Sequence, residues 1–527
     1  MRNFFKPGRD PALAGEAMIA TSHPLSTAAG LDVLAAGGTA VDAAIAACAV
    51  QCVVDPLMTG IGGDCFALYA PHGGEVIAVN GSGRAPAAAT VQKLKAAGLD
   101  TEIPRNSPHA VTVPGAIAAW TKLHRDHGRL PLDRLLARAI TYAENGYPVT
   151  PRVAFDWALE TAVADDPHAA AVFLPGGRAP VAGERHAQPL LGKQLRLIAD
   201  KGAAGFYTGE TAEALVAHLK ALGGLHEMDD FENAVDGADY VKPISTVYRG
   251  REVLECPPNG QGLAALLMLN TLSGFDLAGC SEAERIHLHA EAAKLAYYHR
   301  DALICDPSTL PYAPETLLAE DVAAKLRSRI VMDRVLAPAL WNEPEHKDTI
   351  YLSVVDRDGN AISFINSIFH GFGSTRLEPK TGILLHSRGS SFRLIEGHPN
   401  AIGPRKRPMH TIIPGMVREN GKVVMPFGVM GGQYQAAGHA AFLSGMFDRG
   451  LNVQEAIDAP RSFSFGGVLD VEPTVSDTAI AALEKIGHKV SRLTSPMGGA
   501  QAIFIDHARG LLVGGSDQRK DGSALGF

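Results

Sequence analysis

The pattern of apolar positions changes texture along the chain. Before residue 310 most apolar residues recur at helical spacing, with short strand-like runs between them; after Thr349 they alternate or form short apolar runs. Ser26 can cap a helix ending at Gly37-Gly38, and Thr39 caps the next, apolar through Val54. TGIGGDCFALY reads as a glycine turn feeding a strand. Its Gly60, Gly62 and Gly63 lack the lysine of a P-loop and the spacing of a dinucleotide site, so close backbone packing explains them. Helical periodicity dominates from Ala110 to Leu222, in segments such as Leu130 to Gly146 and Thr211 to Leu222. Tyr248 to Cys256 predicts a strand and Ser281 to Asp301 a long helix. Residues 309 to 347 turn Pro-rich and polar, as a linker. Beyond it the pattern predicts strands at 350–356, 361–367, 411–417, 423–429, 501–505 and 510–514, and helices at Gln435 to Asp448 and Val475 to Ile486.

The first of those strands carries the candidate chemistry. Ile350, Leu352 and Val354 point one way while Tyr351, Ser353 and Val355 point the other, and Asp358-Gly359 supplies hairpin turn residues before the return strand. A hydroxyl residue, Thr349, therefore starts a strand directly behind a polar linker. If the chain is cut between Asp348 and Thr349, that one residue carries an attacking hydroxyl and a free α-amine able to take its proton near neutral pH. Threonine also starts strands for purely conformational reasons, and the hairpin by itself does not separate the two readings.

Composition narrows the class. With 46% hydrophobic and 20% charged residues the chain reads as an ordinary globular protein, and a net charge of −8 argues against a nucleic-acid partner. Arg405-Lys406-Arg407 reads as a solvated loop. No apolar run is long enough for a membrane span, and the first residues lack the apolar core of a secretory signal, which places the chain in the cytoplasm. Six cysteines in 527 residues make no disulfide framework. His287, His289 and Glu291 do not share one helix face, so they read as helix surface and core; no metal or cofactor is expected.

Eight further segments follow a known order: PLSTAAGLDVLAAGGTAVDAAIAA, TGIGGDCF, VPGAIAAW, GFYTGETAEAL, PPNGQG, GPRKRPMHTIIPGM, GVMGGQ and GGSDQRKDGSALGF. With DTIYLSVVDRDGNAIS they resemble the γ-glutamyltranspeptidase family across nearly the whole chain. The resemblance implies the α+β, αββα sandwich of N-terminal nucleophile hydrolases. It also implies self-cleavage into a large subunit (1–348) and a small one (349–527) that form one interdigitated domain, with a dimer of heterodimers as the further assembly open to the pair. Thr349 is then the nucleophile, Ser367 stands for a second threonine that hydrogen-bonds it, and Gly431-Gly432 supply oxyanion N–H groups.

Departures from the family pattern speak to substrate. Where relatives hold an amino-acid head with arginine, asparagine, aspartate and a serine pair, this chain has Ser82, Phe369, Ser391 and His410-Thr411. A site lacking that aspartate should reject an α-ammonium. Arg84 and Arg388 are each open to two readings, a clamp for a substrate carboxylate or a structural ion pair. Together these features resemble the oxamate amidohydrolases of purine breakdown, acting on a small anionic amide. A γ-glutamyl hydrolase or transpeptidase, a glutaryl or cephalosporin-type acylase, and an inactive binding protein are the alternatives.

Overall fold

The computed structural model describes residues 8–337 and 349–527, so Asp348 and the last part of the expected linker lie outside the described residues. Two seven-stranded sheets form the centre. One orders Ser523–Gly526, Met18–Thr21, Ile350–Val355, Ala361–Ser367, Asp64–Ala70, Ile77–Gly81 and Asp239–Val241. The other orders Ala12–Ala14, Leu511–Ser516, Gly499–Asp506, Lys422–Met430, Gly415–Glu419, Arg251–Glu255 and Ile244–Tyr248. Each sheet mixes strands from both sides of Thr349, so neither half could build a sheet system of this kind alone.

Alternation along the central hairpin decides the layering. Tyr351, Val355, Ala361 and Ile365 meet Met416, Met430, Ile503 and Leu512 of the opposite sheet. Ile350, Leu352, Val354, Ile362 and Phe364 instead pack beneath the helices Ala40–Val54 and Ala116–His127. On the far side, Val417, Phe427 and Val429 pack against Gly262–Leu272, Glu282–Leu303 and Gln435–Phe447. The result is the expected four-layer αββα sandwich. The two unlike faces of Ile350–Val355 are thus both buried, one against helices and one against a sheet.

Polar bonds lock the sheets in register. Tyr351 Oη lies 2.7 Å from Ser353 Oγ and 2.8 Å from Ser363 Oγ, and those serines donate across the gap to Pro426 O and Phe427 O at 3.2 and 3.1 Å. Because Pro426 and Phe427 belong to the strand Lys422–Met430, the end of that strand is fixed relative to the start of Ile350–Val355. Buried hydroxyls are satisfied and used for alignment at once.

Several boundaries differ from expectation, each for a local reason. The first helix, Pro24–Ala35, is capped by His23 rather than Ser26, with Pro24 at its first position; Ser26 Oγ instead donates to Ala47 O at 2.8 Å. Thr39 does cap Ala40–Val54, in a reciprocal capping box with Asp42. The strand expected over Tyr248 to Cys256 is Arg251–Glu255, the second arm of a hairpin, since Arg249 and Gly250 take φ of 49° and 79° and turn the chain back from Ile244–Tyr248. The strand expected from 411 starts only at Gly415, because Thr411 O accepts from the Gln261 side chain and Ile413 N donates to the Gln435 side chain instead of joining a ladder. Arg407 is buried and pairs with Asp239 at 2.7 Å, so the basic run is not simply a solvated loop.

His287 and Glu291 are likewise buried, not surface, and meet His488. Each already has protein partners. His287 lies 2.9 Å from Val331 O and 2.8 Å from His488, while Glu291 pairs with Lys294 and accepts from Leu336 N at 2.7 Å. The trio fastens the start of the linker region to the long helix. Among the described residues no helix is long and apolar enough to cross a membrane.

Close packing explains the TGIGG turn. A Cβ on Gly62 would lie 2.2 Å from Leu384 O, and one on Gly63 would lie 2.3 Å from Ser367 O. Gly63→Ala is therefore expected to destabilise the fold by roughly 1–3 kcal/mol and to displace the strand end that carries Ser367. Thermal unfolding of the variant checks it, and an unchanged melting temperature would contradict the packing argument.

Candidate active site

The hairpin register pairs Ile350 with Asn366, which sets Thr349 opposite Ser367. Asn366 anchors that end, its amide donating to Thr59 Oγ1 at 2.8 Å and its oxygen accepting from Trp120 Nε1 at 3.3 Å. Thr349, 1% exposed, donates from Oγ1 to Ser367 Oγ at 3.4 Å. Ser367 Oγ also accepts from Phe369 N at 3.0 Å and from Arg388 Nη2 at 3.4 Å. A hydroxyl at 367 thus links Thr349 to the arginine.

The opposite sheet contributes a strand-to-helix turn. After Lys422–Met430 the chain passes through Gly431 at φ 124° and Gly432 at φ 56°, then enters the helix Gln435–Phe447. Both values lie where side chains are disfavoured, and a Cβ on Gly431 would come 3.0 Å from Gly498 Cα. Tyr434 N donates to Gly431 O at 3.0 Å, which fixes the intervening peptide and aims the Gly432 N–H the opposite way. Gln261 Nε2 holds Gly432 O at 3.1 Å and Thr411 O at 2.7 Å. The same turn brings Gln435 Nε2 to 3.2 Å from Thr349 Oγ1, so the glycine pair and the nucleophile candidate share one site.

Arg388 forms the floor. It lies on the short turn Arg388–Ser391, is 0% exposed, and rests over the Phe369 ring with its guanidinium carbon 3.9 Å from the centroid. Its Nη1 donates to Thr411 Oγ1 at 3.0 Å, and its Nε has no acceptor. Burial pulls its pKa down to about 9, with only Asp64 opposing the shift. Phe369 holds φ at 82°, a strained value for an aromatic residue, and so keeps its ring beneath the cation. Ser391, at the end of the same short turn as Arg388, is buried with an unpaired hydroxyl.

Beneath the arginine sits Asp64, fully buried. Its Oδ1 accepts from Gly83 N at 2.9 Å and Gly115 N at 3.1 Å, and His410 Nε2 lies 3.0 Å from Oδ2. Burial alone would raise Asp64; nearby His386, His410 and Arg388 outweigh it and hold the carboxylate down at about 2. His410 is pushed down to about 3 by burial and Arg388, so it is neutral and donates to Asp64. His410 and Thr411 therefore act in opposite directions, one bound to the buried aspartate and the other to the arginine.

The two arginines are now separable. Arg84 is 44% exposed and reaches Asp239 at 3.5 Å, Asp306 at 3.9 Å and Arg405 O at 3.2 Å, which is a surface ion-pair arrangement. Ser82 is buried nearby in sequence, its hydroxyl accepting from Asn259 at 3.0 Å. Sequence reasoning missed Asp64, His386 and Gln435. Asp64 lay within the TGIGGD turn and Gln435 at the start of the predicted helix two residues past the GVMGGQ segment, but nothing local announced that either would face the site.

A model of the γ-glutamyltranspeptidase family matches residues 26–527. The chain is 38% identical to the glutathione hydrolase-like YwrD proenzyme of Bacillus subtilis (strain 168), over 97% of this chain and 98% of that protein. It is 36% identical to the oxamate amidohydrolase proenzyme of Klebsiella pneumoniae, again over 97% and 98%. Cephalosporin acylase from Bacillus halodurans superposes with a TM-score of 0.93 at 39% identity, covering 100% of this chain and 98% of that one. A matching family model over most of the chain, proenzyme relatives aligned nearly end to end and a shared four-layer sandwich agree: the chain belongs to the γ-glutamyltranspeptidase family of hydrolases that act on amide C–N bonds and are made as precursors.

Proposed function

We propose that the chain cuts itself before Thr349 and then hydrolyses the amide of a short carboxylic acid, oxamate being the best fit. Residues 1–348 and 349–527 become its large and small subunits. In the precursor, Thr349 Oγ attacks the carbonyl of residue 348, the C–N bond breaks with its nitrogen taking the proton, and water hydrolyses the resulting ester. In turnover, the freed α-amine takes the proton as Oγ bonds to the amide carbon. Gly431 and Gly432 N–H groups stabilise the oxyanion, ammonia leaves with the proton, and water releases oxalate.

The observation that carries the substrate is Arg388. It is a buried cation with no carboxylate partner within 4 Å among the described residues, and its guanidinium is held by hydroxyls next to the nucleophile. A buried arginine of this kind favours a bound carboxylate. Two 3.4 Å contacts in series put its Nη2 no more than about 7 Å from Thr349 Oγ1. A carboxylate bonded directly to the reacting carbonyl spans that reach. One that is three carbons further away, as in glutaryl or γ-glutamyl groups, must fold back to fit.

Proteins similar to this chain are named for glutathione hydrolase-like, oxamate and cephalosporin activities, so the names do not choose among substrates. The test is ammonia release from oxamate, glutamine, glutathione and a glutaryl amide by the purified, cleaved protein. Oxamate is expected to show the highest kcat/KM, by about tenfold or more. A preference for glutathione would overturn the substrate assignment.

A further inference from the structure

Gln435 is fully buried and both ends of its amide are engaged. Its Oε1 accepts from Ile413 N at 3.0 Å, and a backbone N–H can only donate, so this contact fixes which amide atom is oxygen. The other end is therefore an N–H donor, 3.2 Å from Thr349 Oγ1. A donor on Oγ1 leaves the hydroxyl proton pointing in another direction, in the resting geometry toward Ser367 Oγ at 3.4 Å. The glutamine stands at the first position of the helix that follows the glycine pair, so one rigid turn sets the position of both.

We infer that Gln435 is a further catalytic residue, donating a hydrogen bond to the nucleophile oxygen in both self-cleavage and turnover; the inference rests on Thr349 being that nucleophile. When Oγ1 attacks, it loses its proton and gains a bond to carbon, and an N–H already aimed at it lowers the cost of the charge it carries meanwhile. When the ester breaks, Oγ1 leaves with the bonding pair and is reprotonated, and the same donor stabilises it again. The contribution needs no rearrangement, because Ile413 keeps the amide from turning.

Self-cleavage offers a test that needs no external substrate. Full-length wild type, Gln435→Ala, Gln435→Glu and Thr349→Ala are made by cell-free synthesis, and conversion to two fragments is followed over time across a range of pH. Gln435→Ala is expected to mature about tenfold more slowly than wild type, the loss of roughly one hydrogen bond. Gln435→Glu discriminates further. Its protonated carboxyl can accept from Ile413 and donate to Thr349, whereas the ionised form can only accept. Its rate relative to wild type is therefore expected to rise as the pH falls, while the ratio for Gln435→Ala stays flat.

Wild-type speed in Gln435→Ala, or a pH-independent ratio in Gln435→Glu, would overturn the inference. Should Gln435→Glu not fold, Gln435→Ala matured by long incubation decides: kcat for oxamate is expected to drop with KM little changed, and a change in KM alone would overturn it. Cleavage of Thr349→Ala would instead show that the nucleophile reading had failed.

Discussion

Thr349→Ala is expected to remain one full-length chain, while the wild type separates into two fragments, the second starting at Thr349. Without the hydroxyl nothing at this position can form the ester, and removal of a nucleophile from such a unit lowers rates on the order of 10⁴-fold or more. Denaturing electrophoresis with N-terminal sequencing reads the outcome. A wild type that stays whole yet hydrolyses amides would sink the mechanism. Catalysis can be separated from processing by coexpressing residues 1–348 with a chain that begins at Thr349, which supplies the amine and the hydroxyl uncut. That pair should be active, its Thr349→Ser form partly so, and its Thr349→Ala form inactive. The prediction also draws on the fold. Because each sheet takes strands from both fragments, the two should assemble into one particle and not act apart.

Local signals explain what was readable in advance. The hairpin Ile350–Val355 and Ala361–Ser367 followed from alternation and an Asp-Gly turn, both of which act over a few residues. Its register then set Ser367 against Thr349. Gly431-Gly432 were picked out by the family resemblance, and their consecutive positive φ values give the local reason for glycine at both positions. Arg249 was not readable, since an arginine in the left-handed region leaves no mark in the sequence, and the turn with the preceding strand Ile244–Tyr248 went unread. Arg84 and Arg388 looked alike because what separates them is tertiary. One meets Asp239 and Asp306 at the surface, and the other is enclosed by Phe369, Ser367 and Thr411 from three different segments. Gln435 reads as an ordinary helix start until the strand-to-helix turn is seen to carry it to Thr349.

The second large effect concerns Arg388. Arg388→Lys is expected to cut kcat/KM for oxamate by about 10- to 100-fold, because a lysine cannot keep the hydroxyls of Ser367 and Thr411 and also fork onto a carboxylate; hydrogen bonds to charged groups are worth about 1.5–3 kcal/mol. Melting temperature should be recorded alongside, since the variant also gives up the contact with the Phe369 ring. Conversely, Phe369→Asn with Ser391→Asp should move preference toward γ-glutamyl amides. Asparagine adopts the φ of 82° more readily than phenylalanine and is shorter, which opens the space the ring fills. Aspartate at 391 replaces a buried, unpaired hydroxyl with a partner for an α-ammonium, on the same short turn as Arg388. A carboxylate placed there also competes with oxamate for the arginine, so oxamate turnover should fall as glutamyl turnover rises. Paired kcat/KM values for both substrates decide. If the double variant leaves their ratio where the wild type has it, neither Phe369 nor Ser391 sets the substrate's length or charge.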